Sequence, residues 1–164
     1  MIINIIIVFL AVGMAALAVN YFEDRIKKNK KRISFRETMD LVELPIITFY
    51  INDNKLNFLL DTGSNLSFID PKVVSLLGDS KAQKAETSVI GCGGNTETTN
   101  KHNVVLIHNG DLYDVELNEN PALTESFNAI KERDGVRIHG ILGSLFFQKY
   151  KYILNFDELV AYKG

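Results

Sequence analysis

Leu59-Leu60-Asp61-Thr62-Gly63-Ser64-Asn65 is the stretch on which the reading of this chain turns. A carboxylate set directly after an apolar run costs free energy unless it is paired or hydrogen-bonded. Gly63 permits a tight loop, and Thr62 and Ser64 place hydroxyls beside the acid. Such a loop can hold Asp61 with backbone and hydroxyl groups donating to its carboxylate. Taken alone, the tripeptide Asp61-Thr62-Gly63 reads equally as a β-turn closed by an Asx-type bond.

Outward from the loop the pattern is β. Residues 44–51 are rich in β-branched and aromatic side chains, and Asn52-Asp53-Asn54 turns them into a return strand at 56–60. Residues 66–69 alternate as a strand. Asp70-Pro71 has the form of an N-cap and first-turn proline, opening a short helix that Gly78 stops. Residues 86–90 and 95–108 read as strands around Gly91-Cys92-Gly93-Gly94. Asn109-Gly110 predicts a two-residue hairpin joining 102–108 to 111–117. Residues 123–133 have the spacing of an amphipathic helix with Phe127 and Ile130 inward. A strand at 136–142, a short helix at 143–150 and strands at 151–156 and 159–162 complete a mostly β domain over residues 38–164. That length supports one compact core.

The chain has 164 residues, 18 basic and 20 acidic side chains, and a single cysteine. One cysteine excludes a disulfide framework and a cysteine-based zinc site. His102, His108 and His139 show no metal-ligand spacing and read as surface or strand residues. No metal and no cofactor is expected. The Gly91–Gly94 run lacks the Gly-Lys-Ser/Thr of a phosphate loop. A net charge of −2 makes no case for nucleic acid as a partner.

The mean hydropathy of +0.04 averages unlike parts. Residues 1–22 carry no charge, and a helix over Ile2–Phe22 is about 31 Å long at roughly 1.5 Å per residue, enough to span a bilayer core. Residues 1–22 are therefore expected to form a transmembrane helix. Arg25, Lys27, Lys28, Lys30, Lys31, Arg32 and Arg36 follow at once, in a juxtamembrane linker at 23–37. Positive charge beside a span marks the cytoplasmic side, which puts the C-terminal domain in the cytoplasm. A cleaved signal peptide would need basic residues before the apolar stretch, and there are none.

Three features in order resemble the retropepsin-like (retroviral-type) aspartic proteases. Asp61-Thr62-Gly63-Ser64 is similar to the family's catalytic loop. Val89-Ile90-Gly91-Cys92-Gly93-Gly94 is similar to its glycine-rich flap. Gly140-Ile141-Leu142-Gly143 is similar to the apolar segment that lies beside the catalytic loop in a ψ-shaped core. The resemblance spans about residues 44–162. It implies a single-lobe, closed, barrel-like β fold with short helices. It assigns Asp61 as catalytic, Thr62, Gly63 and Ser64 as its loop support, Ile90 to Gly94 as a substrate-binding flap, and Ile141, Leu142 and Gly143 as the ψ core. By the same resemblance, Thr62 links two loops across a two-fold axis, and a strand at Leu159–Gly164 remains to close a dimer. Leu145 departs from the family, which often has Asp or Asn there, and the stretch between flap and Gly143 is longer.

Such chemistry needs two facing carboxylates that share one proton. The chain has one Asp-Thr-Gly and no Asp-Ser-Gly. Activity therefore implies a homodimer acting on a protein or peptide, held to the membrane by the N-terminal helix. A Ser64 hydroxyl bond to the outer carboxylate oxygen is a further expectation. The other reading is the same fold used as a tethered peptide-binding or dimerisation module without turnover.

Overall fold

The computed structural model describes residues 13–23, 32–78, 82–91 and 94–164, with backbone alone for 82–91 and 94–99. Residues 1–12 of the expected transmembrane segment, 24–31 of the basic linker, and Cys92 and Gly93 of the flap lie outside the described residues. Residues 13–23 form helix α1. No described helix is long and apolar enough to cross a membrane.

Residues 33–164 make a second unit. Its opening elements are β1 (Ile33–Ser34), α2 (Arg36–Val42), β2 (Ile46–Ile51), β3 (Asn54–Leu60) and β4 (Ser67–Ile69). A 3-10 helix (Pro71–Leu77) leads to β5 (Ala82–Gly91), β6 (Gly94–His108) and β7 (Asp111–Glu119). Then come α3 (Ala122–Asp134), β8 (Gly140–Leu142), α4 (Ser144–Tyr150), β9 (Tyr152–Asn155) and β10 (Val160–Lys163).

Six strands close a ring in the order β2-β3-β8-β4-β7-β6, with β6 meeting β2 again at Ile107 and Tyr50. Two pairings in the ring are parallel, β3 with β8 and β4 with β7, while β8 and β4 run antiparallel. This arrangement is the expected ψ-shaped core. The period of two decides what fills it. Leu56, Phe58 and Leu60 of β3 are buried in the barrel with Phe49, Ile69 and Leu142, and Leu59 between them faces out. The outward positions Ile46, Phe68 and Ile141 form a second cluster under Phe127 of α3 and Val42 of α2. Beyond the ring, β5 and residues 94–100 of β6 continue as a two-stranded hairpin. Asn109 and Gly110 both have positive φ, as the tight turn between β6 and β7 requires.

Three expectations are corrected. The unit begins at Ile33, five residues before the expected domain start. Phe35 is 1% exposed in the core and its N–H bonds the Leu159 carbonyl, so residues read as linker belong to the fold. Residues 136–139 do not join the strand at 140–142: the Arg137 carbonyl accepts the Asn57 side-chain amide, and Ile138 is buried in the α3 cluster. The short helix expected after Asp70-Pro71 is present and is of the 3-10 type, with Asp70 accepting from Lys72 N–H. Finally, the C-terminal strand expected to remain for a dimer is engaged within the chain: β9 pairs β10 along its length, and β1 pairs Val160 and Ala161 on its other edge.

Two histidines read as surface or strand residues are buried. His102 Nε2 lies 2.8 Å from Glu119 Oε1. His139 Nδ1 accepts the Asn57 N–H at 2.9 Å. Burial, and then Arg137, pushes the His139 imidazole below its ordinary value. The folded chain therefore binds its proton later than the unfolded chain as pH falls. Stability is full above the unfolded value, about 6.5, and declines as pH drops below it. The expected slope is at most about 1.4 kcal/mol per pH unit. Urea unfolding at pH 7.5, 6 and 5 should show this decline, and His139→Gln should flatten it.

Candidate active site

Asp61 stands where β3 leaves the barrel. Its N–H donates to Leu142 O at 3.0 Å, one bond past the parallel β3–β8 ladder. The chain then turns back: Ser64 N–H reaches Asp61 O at 3.3 Å, and Gly63 N–H donates to Asp61 Oδ1 at 2.8 Å. The turn thus supplies the carboxylate with a backbone donor. Asp61 and Ser64 are half-buried, while Thr62, Gly63 and Asn65 are exposed.

The segment after β8 fixes this turn. A Cβ on Gly143 would lie 2.2 Å from Leu66 O and 2.9 Å from Ser64 O, so only glycine lets the two segments come this close. Gly143 N–H donates to Ser67 Oγ at 3.1 Å. The first amides of a helix have no acceptor inside it. In α4 these are Ser144 N–H, which donates to Ser64 O at 2.7 Å, and Leu145 N–H, which donates to Asn65 O at 3.3 Å. The loop is therefore joined to the helix by backbone bonds. The helix is held in turn by Phe146, which packs on Phe49, Tyr113 and Tyr152.

The structure thus brings together Asp61, Thr62, Gly63, Ser64, Leu142 and Gly143. Ile141 does not join them directly: it pairs with Leu59 and Phe68 and faces the α3 cluster. Ile90 pairs with Asn95, and Gly91 with Gly94, at the end of the β5–β6 hairpin. The Ser64 hydroxyl donates to Leu66 O at 2.8 Å, not to the carboxylate as expected, and so tightens the loop. Ser67 escaped the sequence reading. Its one signal is a hydroxyl at a buried position in the otherwise apolar run of residues 66–69.

A carboxylate on a turn with a backbone donor, beside an exposed hydroxyl, can accept a proton from water or deliver one to a substrate oxygen. The geometry also sets a test. Gly143→Ala forces carbonyl oxygens apart at the centre of the site. Overpacking of this kind costs about 3 kcal/mol, measurable as a lower urea midpoint with an unchanged slope.

The family model described as "Aspartyl protease" matches residues 47–146, from β2 into α4. No curated protein matches. One similar solved structure is EIAV protease complexed with the inhibitor HBY-793, at 24% identity and a TM-score of 0.49, covering 66% of this chain and 89% of that one. The matched residues include the Asp61 turn, the hairpin and the Gly143 contact, and the chain belongs to the aspartyl protease family, as an aspartic endopeptidase.

Proposed function

We propose that the chain is a membrane-anchored, homodimeric, retropepsin-like endopeptidase whose active site is made from two Asp61 carboxylates, one per protomer. The carrying observation is the Asp61 turn itself: one carboxylate, held by Gly63 N–H on a loop that is bonded to β8 and α4. One carboxylate is half of the required chemistry. Two that face each other at about 3 Å hold a single proton between them, because both cannot ionise. The ionised member takes a proton from a water on the two-fold axis as the water oxygen bonds to the scissile carbonyl carbon. The protonated member donates to the carbonyl oxygen. As the C–N bond breaks, the leaving nitrogen takes a proton from the pair.

Thr62, exposed at the tip of the turn, is placed to meet its counterpart across that axis. The β5–β6 hairpin, with Ile90, Gly91 and Gly94 at its described end, is the element suited to close over an extended peptide and bond its backbone. The uncharged residues 1–22 and the basic run after them support a single-pass anchor with the catalytic unit in the cytoplasm. Tethering raises the effective concentration of two units that share one surface.

Two measurements test this. The full chain in vesicles should cleave members of a peptide library between pH 4 and 7, and Asp61→Asn should lower the rate by about a thousandfold. Persistent cleavage by Asp61→Asn would exclude the mechanism, and no cleavage by a confirmed wild-type dimer would favour a binding module. For the tether, the fragment 32–164 should lose specific activity on dilution into the nanomolar range, while the vesicle-bound chain should not. Equal activity for both at nanomolar concentration would remove the role of the anchor.

A further inference from the structure

His102 is 2% exposed, and the Asp61 chemistry makes no use of it. Its Nε2 lies 2.8 Å from Glu119 Oε1, and the other oxygen of the same carboxylate accepts Asn100 Nδ2 at 3.1 Å. One carboxylate on β7 thus holds two side chains of β6. Asn100 and His102 are two residues apart, so they stand on one face of that strand. The Glu119 side chain is itself only 12% exposed. A carboxylate so buried is costly unless its oxygens are paired, and taking away either side leaves the other uncompensated.

The place of this grip gives it a role. β7 ends at Glu119, and its register with β6 begins at Lys101 opposite Asn118. Beyond that rung, residues 94–100 of β6 pair with β5, out to Gly94 opposite Gly91. Glu119 therefore stands where the barrel wall ends and the hairpin begins. It is tied to the scaffold behind it: Glu119 pairs with the buried Ile69 of β4, and Asn120 N–H donates to Ile69 O at 3.2 Å. β4 is also the strand that leaves the Asp61 turn. Just past the grip the hairpin ladder is irregular. Lys84 pairs with Asn100 and Thr87 with Thr98, so two residues of β5 stand opposite one of β6. An extra residue of this kind interrupts the ladder and bends the strand. The gripped rung and the bend are neighbours.

We propose that Glu119 is a positioning residue for the β5–β6 hairpin. Its hold on Asn100 and His102 fixes the root, so opening and closing are confined to the bulged rungs beyond Asn100, and the tip returns to one place over a bound peptide. The peptide in this statement rests on the proteolytic reading above; the grip concerns the hairpin alone. Glu119 touches no reacting atom and acts through two side chains. A hairpin with a loose root must be ordered by the peptide itself, and that ordering lowers affinity. A closed hairpin serves substrate and transition state alike, so the loss falls on KM and not on kcat.

The test uses the full chain in vesicles with two variants. Glu119→Gln keeps the shape and removes the charge, and Asn100→Ala removes one arm of the grip at a half-buried position. In Glu119→Gln, amide hydrogen exchange over residues 82–91 and 94–100 should be about tenfold faster, with residues 56–60 and 140–142 of the barrel at their wild-type rates. Asn100→Ala should shift the same hairpin amides by about threefold. In cleavage assays Glu119→Gln should raise KM about fivefold and leave kcat within about twofold. Unchanged hairpin exchange in both variants would overturn the grip. So would equal acceleration in hairpin and barrel, since the pair would then serve global stability alone. Faster hairpin exchange with unchanged KM would overturn the positioning role and leave the protease reading intact. Absence of any Asp61-dependent cleavage by wild type would remove the protease reading, and the exchange rates would still decide the grip.

Discussion

The approach of Gly143 to the Leu66 and Ser64 carbonyls is the contact from which the geometry of the site follows. A Cβ there would occupy the space of a peptide group, and packed interiors accommodate such a change only by moving backbone. Once the two segments touch, Gly143 N–H finds Ser67 Oγ and the leading amides of α4 find Ser64 O and Asn65 O. Each bond removes an orphan donor that burial would otherwise make costly. The Asp61 turn therefore inherits its position from a helix whose own anchor, Phe146, sits among the rings of Phe49, Tyr113, Phe147, Tyr150 and Tyr152.

The ring of strands explains why the loop falls at this place. Parallel neighbours cannot be joined by a hairpin, so β3 and β8 come from distant parts of the chain and end side by side. Their ends deliver Asp61 and Gly143 to the same rim of the barrel. Leu59 and Ile141, which point outward from those strands, are covered by α3, whose Thr124 hydroxyl donates to Asp70 Oδ1 at 2.6 Å. The helix α3 thus seals one flank of the scaffold.

Much of this was legible in the sequence where local chemistry decides the structure. The Asp61 turn, the Asn109-Gly110 hairpin and the Asp70-Pro71 helix start all depend on residues adjacent in the chain. What failed depends on distant partners. Residues 33–37 look like part of a charged tether because Arg36 and Glu37 mask the apolar positions, and only the fold shows Ile33 and Phe35 buried. For Ser64, a carbonyl two residues away takes the bond that local reasoning gave to the carboxylate. The burial of His102 and His139 follows from Glu119 and Asn57, residues far from them in sequence.

The pairing of β10 bears on how two copies would meet. Strand edges are a strong means of joining chains, since each open N–H and C=O seeks a partner. Here β9 pairs β10 along its length and β1 covers Val160 and Ala161 on the other edge, and the Phe35–Leu159 bond holds β1 in place. On the proposed reading, a two-fold axis through Asp61 also meets the exposed Thr62, Gly63 and Asn65. Association costs several kcal/mol in lost translational and rotational freedom, about 4 or more. A shared membrane surface lowers this cost without any new contact, because the search is confined before the loops touch. On the proposed reading, the partly covered β10 and the apolar N-terminus are complementary: less strand edge is left for association, and the anchor decides where it occurs.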